Sequence, residues 1–240
     1  CLSSSKESKK YLKKLNVKNL KYIGNIKLSG EIKTKDIFNK NDKFLKNKRF
    51  WCAASTHNGE ETLCIKIHKN LKKKYLDLIT IIIPRHIDRC KEIKELCIKN
   101  NLRVQILNAD DLINPKSEII IINSFGMLPK YFKLSKSIFM GKSLLKDLKL
   151  VGGQNPIEAA VLGCKIYHGP YVYNFEEIYR LFKIYKISEE VINEEELTKK
   201  LMNDLKETKK KQNKITNKIK QLGDKILIQS IKEIIKIQKK

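Results

Sequence analysis

Apolar and polar positions change their period several times along this chain, and those changes mark out its elements. Ser5 to Leu15 has helical spacing, and Lys21 to Leu28 reads as a short strand with a bend at Gly24. The polar, lysine-rich stretch from Ser29 to Lys48 predicts a linker or boundary. A regular alternation then begins. Short apolar runs predict strands at Arg49 to Ala54, Leu78 to Ile83, Arg103 to Leu107, Ile119 to Ile122, Lys136 to Met140 and Cys164 to His168. Helical patterns lie between them at Glu60 to Leu71 and Asp88 to Asn100, after Leu128, after Asn155, and near Asn174 to Phe182. Runs that are apolar throughout, alternating with helices, predict an α/β fold: a Rossmann-like parallel sheet covered by helices on both faces. From Glu194 onward Ile215, Ile219, Leu222, Ile226 and Ile231 recur at helical spacing. They predict a terminal pair of amphipathic helices broken at Gly223, which either packs back on the domain or lies on a membrane.

In such a sheet the ligand sits outside the C-terminal strand ends, so the loops there carry the candidate chemistry. Val151-Gly-Gly-Gln-Asn-Pro-Ile-Glu-Ala-Ala160 reads as a glycine turn feeding a capped helix. Asn155 is a good N-cap, Pro156 suits the first helical position, and Glu158 completes a capping box. Gly152 and Gly153 would let an anion approach the helix N-terminus, and Glu158 has the chemistry to accept from ribose hydroxyls. An ordinary capped helix is the simpler use of the same residues. Ser55-Thr56-His57-Asn58-Gly59-Glu60-Glu61 repeats the device, with Asn58 and Glu61 as a second box. Pro84-Arg85-His86 releases a basic fork at a strand end. In Asn123-Ser-Phe-Gly-Met-Leu128, Gly126 can turn backbone N–H groups toward a ligand walled by Phe125 and Met127.

Composition narrows the partners. The 240 residues are 41% apolar, enough for a buried core, and 51 Lys and Arg against 26 Asp and Glu give a formal charge of +25. The excess is mostly lysine spread along the whole chain. It implies attraction to nucleic acid, a phosphorylated substrate or an anionic membrane, where each basic group near the surface contributes about 1 kcal/mol. No apolar run approaches the roughly 18 residues of a spanning helix. A chain beginning at Cys1 is either a processed product or a fragment, and a lipoprotein would begin with such a cysteine. The cysteines at 1, 52, 64, 90, 97 and 164 have no paired spacing. They are expected as reduced thiols of a cytoplasmic protein, with no disulfide framework and no metal. Walker, GxGxxG, HExxH and Gly-x-Ser-x-Gly motifs are absent.

Gly24-Asn-Ile-Lys27, Ala53-Ala-Ser-Thr-His57 with Gly59-Glu-Glu61, Pro84-Arg-His86, Gly152-Gly-Gln-Asn-Pro-Ile-Glu-Ala-Ala160, Gly169-Pro170 and Asn174-Phe175, taken in order, resemble the C-terminal half of the 3-deoxy-D-manno-octulosonic acid (Kdo) transferases. The resemblance implies the C-terminal, donor-binding domain of a GT-B glycosyltransferase. Residues 1–30 would then be a remnant of the N-terminal acceptor domain, 31–48 a linker, 49–193 the nucleotide-sugar-binding domain and 194–240 the C-terminal helices. It implies inverting transfer of Kdo from CMP-Kdo to lipid A precursor (lipid IVA) in lipopolysaccharide biosynthesis. The nucleotide would lie on Pro84, Arg85, Phe125, Gly126, Met127, Asn155, Pro156, Ile157 and Glu158, with donor-sugar contacts at Ser55, Thr56, His57, Gly152 and Gly153. CMP-Kdo is a substrate, and no cofactor is implied. The catalytic base is expected in the N-terminal half of the family, so none is assigned in this chain. The implied partners are the donor, the anionic lipid acceptor and the membrane surface, with no nucleic acid. The implied location is the cytoplasmic face of the bacterial inner membrane, peripheral or anchored through the N-terminal region.

Two positions depart from the family. Phe125-Gly126-Met127-Leu128 stands where Met-Gly-Glu-Leu is common, losing an acidic side chain. Lys142 stands where a glycine is usual, and either crowds its loop or adds an anion contact. The alternatives are a basic Rossmann-like nucleic-acid-binding module, which needs a clustered basic face with stacking aromatics, and another nucleotide-sugar enzyme such as a 2-epimerase.

Overall fold

The computed structural model describes residues 1–30, 37–207 and 213–238. The chain opens with β1 (Leu2–Ser3), α1 (Lys6–Lys14) and β2 (Lys21–Tyr22), the two strands forming a small parallel pair. Ser5 caps α1 by accepting from the Ser8 N–H at 2.9 Å. The strand expected over Lys21 to Leu28 ends at Tyr22: Gly24, at φ +93, turns the chain into a 3₁₀ segment at Ile26–Ser29, capped by Asn25. Of the expected linker, 31–36 lie outside the described residues. The rest carries α2 (Asp42–Lys46), whose Leu45 is fully buried in the main core.

The alternation that follows gives β3 (Phe50–Thr56), α3 (Glu60–Lys72), β4 (Ile79–Pro84), α4 (Cys90–Lys99), β5 (Val104–Leu107), β6 (Ile119–Ile122), α5 (Leu128–Phe132), β7 (Ser137–Met140), α6 (Ile157–Val161), β8 (Lys165–His168), α7 (Glu176–Ile184), β9 (Ser188–Glu190), α8 (Glu194–Asp204) and α9 (Asn213–Gln238). The expected strands are present within a residue or two of their predicted bounds. The short polar β9 carries no apolar run to announce it. One parallel sheet runs in the order β5-β6-β4-β3-β7-β8-β9. Successive residues of each strand feed opposite layers. Cys52, Ala54, Ile81, Ile120, Ile138 and Ile166 enter one core, together with α6, α7 and the first turns of α9. Trp51, Ala53, Ile82, Ile121, Phe139 and Tyr167 enter the other, under α3, α4 and α8.

Gly223 does not break the terminal helix. α9 runs through it because the glycine lies on the Leu28–Ser29 backbone, where an added Cβ would stand 2.3 Å from the Leu28 carbonyl oxygen. Ile215, Ile219 and Leu222 are buried, so the first half of α9 packs back on the domain. Leu227, Ile228, Ile231, Ile234 and Ile235 form an exposed apolar stripe along its second half. Among the described residues no helix is long and apolar enough to cross a membrane. Cys1 is exposed and the other five cysteines are buried.

Candidate functional site

The connections leave β3 toward β4 on one side and reach β7 on the other, so the winding direction reverses between β3 and β7. A crevice forms at such a reversal. Here it is a cavity of about 310 Å³ lined by Ser55, Arg85, Leu128, Phe132, Met140, Gln154, Asn155 and Glu158. Four of the sequence-predicted residues thus meet at one place, brought from the ends of β3 and β4, from the loop before α6 and from the first turn of α6. The register of β3 on β4 shifts between Ala54 and Thr56, and Ser55 adopts φ +55. That bulge turns Ser55 out of the sheet. Arg85 is anchored by its N–H to the Thr56 carbonyl at 3.0 Å, and its side chain is exposed.

The capping box expected at Asn155 and Glu158 does not form. Asn155 Oδ1 accepts from the Ile157 N–H at 3.1 Å, an Asx turn, and Pro156 takes the cap position of a helix only five residues long. Glu158 is thereby released from capping. Its carboxyl is half-buried on the cavity wall, among the described residues no donor reaches it, and burial pushes its pKa up. The Ile157 and Met127 side chains are core residues, so these two fix the loops from behind. Pro84 ends β4 buried, opposite Thr56. Phe125 is 74% exposed, and Gly126, at φ +73, has open space beside it, so the turn preceding Leu128 forms an exposed rim.

Gly152 and Gly153 do not present their backbone to open space. Their N–H groups donate to the Leu148 and Lys142 carbonyls, and a Cβ on Gly152 would meet the Tyr171 carbonyl oxygen at 2.2 Å. Glycine is required there for two loops to pack together. The second expected box also fails. Gly59 at φ +89 starts α3, while Glu61 and Asn58 both engage Arg89, Glu61 through a two-pronged ion pair.

The residue that sequence reasoning passed over is Glu60. It is fully buried and accepts four backbone N–H bonds: His57 and Lys142 on Oε2, at 2.9 and 2.6 Å, and Ser143 and Leu144 on Oε1, at 2.9 and 3.1 Å. Burial raises its pKa, against the lowering effect of those four donors. One carboxylate thereby ties the loop after β3 to the loop after β7 across the reversal point. Thr56, fully buried four residues before it, has no partner for its hydroxyl among the described residues. His57 is half-buried, with its ring edge-on to His86 at 6.0 Å. Behind the cavity, Tyr179 donates to the Gln154 carbonyl at 3.0 Å and packs on His168, 4.3 Å between ring centroids.

No family model matches the chain. In sequence it is 34% identical over 131 residues to the 3-deoxy-D-manno-octulosonic acid transferase of Haemophilus influenzae, covering 55% of this chain and 30% of that relative. The chain therefore spans less than a third of the length of this curated relative. In structure it is similar to the C-terminal CMP-Kdo binding domain of WaaA from Acinetobacter baumannii, with a TM-score of 0.65 and 23% identity over 81% of this chain and 95% of that one. It also shares its fold with a UDP-N-acetylglucosamine 2-epimerase from Listeria monocytogenes, with a TM-score of 0.53 and 14% identity over 94% of this chain and 52% of that one. The resemblance to Kdo transferases carried by the loop motifs is thus borne out in sequence, and the GT-B-type domain in fold.

Proposed function

We propose that this chain is the donor-binding part of a glycosyltransferase that moves Kdo from CMP-Kdo to a lipid A precursor in lipopolysaccharide biosynthesis. The observation that carries the reading is the cavity at the β3/β7 reversal, a nucleotide-sized space whose lining includes the Arg85 guanidinium and the half-buried Glu158 carboxyl, neither of which has a side-chain partner among the described residues. The Arg85 fork holds the phosphate and stabilises the charge that develops as CMP leaves. Glu158 accepts from the ribose hydroxyls, and the exposed Phe125-Gly126 rim, backed by Met127 in the core, lies beside the base. Residues 49–193 form the donor unit and 1–30 the edge of an acceptor unit. A sugar hydroxyl of the acceptor attacks the anomeric carbon with inversion, and its proton goes to a base outside this chain. A peripheral position on the cytoplasmic face of the inner membrane places this basic molecule beside its anionic acceptor.

Calorimetric titration with CMP, UMP and AMP tests the reading. CMP binds selectively, and Arg85→Ala and Glu158→Ala each weaken it by about 1 to 3 kcal/mol, the range for losing a charged hydrogen-bond partner. A preference for UMP overturns the cytidine assignment in favour of a uridine-nucleotide enzyme on the same fold.

A further inference from the structure

A crevice of about 450 Å³ separates the start of α1 from the loop after β8 and the first turns of α7. It lies apart from the residues assigned to the nucleotide, and neither Arg85 nor Glu158 lines it. The two spaces are nonetheless neighbours. Asn174, on the crevice wall, donates through its backbone N–H to the Gly152 carbonyl at 3.0 Å and through Nδ2 to the Val151 carbonyl at 2.8 Å. Gln154 and Asn155, further along that loop, line the nucleotide cavity.

The lining has the chemistry of a hydroxyl-rich ligand. Tyr173 stands at the crevice 51% exposed, and Phe175 beside it packs on the core. An aromatic face so placed receives the C–H face of a pyranose ring and leaves the ring's hydroxyls to the polar groups around it. Those groups keep unused capacity. Ser8 Oγ accepts from the Ser5 hydroxyl at 2.8 Å and retains its own hydrogen to donate. Asn25 Oδ1 is taken by the Lys27 N–H, which leaves the amide N–H groups. Asn174 is the reverse case, its amide engaged by Val151 and its Oδ1 left to accept.

The charges point away from an anion. In a chain of net charge +25, this crevice is lined by Lys6 and Arg180 against Glu7, Glu176 and Glu177. Arg180 is moreover paired with Glu176. The N-terminus of α1, which would otherwise draw a phosphate, is served from within the fold. Ser5 Oγ accepts from the Ser8 N–H at 2.9 Å, and Glu177 Oε2 accepts from the Lys6 N–H at 2.8 Å.

We propose that this crevice is a binding site for an uncharged sugar ring, stacked on Tyr173 and hydrogen-bonded by Ser8, Asn25 and Asn174. The site itself stands without the donor reading. Its role rests on that reading: the ring held here is an uncharged sugar of the acceptor, seated beside the nucleotide cavity and not within it.

The test is saturation-transfer NMR on the 240-residue chain, with and without saturating CMP. Methyl N-acetyl-β-D-glucosaminide and methyl β-D-glucoside are the uncharged probes, and glucose 6-phosphate is the charged one. Wild type is expected to bind an uncharged probe at millimolar concentration, and CMP to leave that binding in place. Tyr173→Ala is expected to weaken it about five- to tenfold, the loss of one stacked contact, and Ser8→Ala to weaken it as well, with CMP affinity unchanged in both. Tyr173 is exposed and Ser5, not Ser8, caps α1, so both variants keep the fold. Glucose 6-phosphate binding as tightly as the uncharged probes overturns the proposal, because the crevice then does not discriminate by charge. Displacement of the uncharged probe by CMP overturns it too, by placing the sugar in the nucleotide cavity. So does binding that both variants retain in full, or no saturation transfer from wild type to either uncharged probe, and the donor reading then still stands or falls on the CMP titration. If an uncharged probe binds as expected and CMP does not bind, the donor reading falls and the sugar site stands.

Discussion

Glu60 and Glu158 show how one residue type acquires opposite uses from its surroundings. Glu60 is surrounded by N–H donors and spends its acceptor capacity holding two loops in register across the crevice. Glu158 is half-buried with no donor nearby, and burial raises its carboxyl pKa. A carboxyl raised on folding keeps its proton in the native state at a pH where the unfolded chain has lost it. Its burial therefore costs stability as pH rises from the unfolded value through the folded one. For binding the sign is reversed, because ribose hydroxyls donate well only to the ionised form. Cytidine affinity should therefore increase with pH through the Glu158 titration, above the usual carboxylate range, and Glu158→Gln should flatten that profile. Cytidine is the better probe because the phosphate of CMP titrates near pH 6 and would mask the effect. A Gln variant with the wild-type profile would remove Glu158 from the sugar site.

At the scale of elements, Gly223 shows where periodicity stops being informative. A glycine inside a helical pattern weakens the helix by about 1 kcal/mol relative to alanine, so it reads as a break. In the fold α9 continues through it, because only a glycine lets the helix lie on the Leu28 carbonyl. Gly223→Ala is therefore expected to lower stability by about 1 to 3 kcal/mol in urea denaturation despite alanine's better propensity. A gain in stability would mean that the α9 contact with Ile26–Ser29 is loose. The same limit governs the rest of the chain. The apolar runs of β3, β4 and β6 were legible because both of their faces are buried, and with them came the parallel sheet and the loops at its strand ends. β9 was not legible, being three polar residues at an edge. Nor was the role of Glu60, since three of its four donors lie 82 to 84 residues away and the residue looks like any acid in a first helical turn. The capping boxes were misjudged because Asn155 bonds one residue earlier than a box requires, and because Glu61 found Arg89.

At the scale of the whole molecule, two properties bear on the proposed membrane partner, and they differ in how they respond to salt. The +25 charge is spread over the surface and attracts an anionic bilayer over roughly the Debye length, about 10 Å at 0.1 M salt and about 3 Å at 1 M. The stripe of Leu227, Ile228, Ile231, Ile234 and Ile235 on α9 is exposed apolar surface beside Lys225, Lys232 and Lys236, and its insertion would be insensitive to screening. Co-sedimentation with vesicles containing an anionic phospholipid should therefore show strong binding at low salt and a residual fraction at 1 M. Neutral vesicles should bind little, since the stripe alone covers only about two turns. Ile231→Asn with Ile235→Asn should abolish the residual fraction and leave most of the low-salt binding, because both side chains are solvent-exposed and their replacement spares the core. If binding disappears entirely at 1 M salt in the wild type, charge alone holds the molecule to the bilayer and α9 keeps its apolar face for another surface. If neither salt nor lipid charge changes the result, the basic surface does not serve a membrane, and the acceptor must be met in some other way.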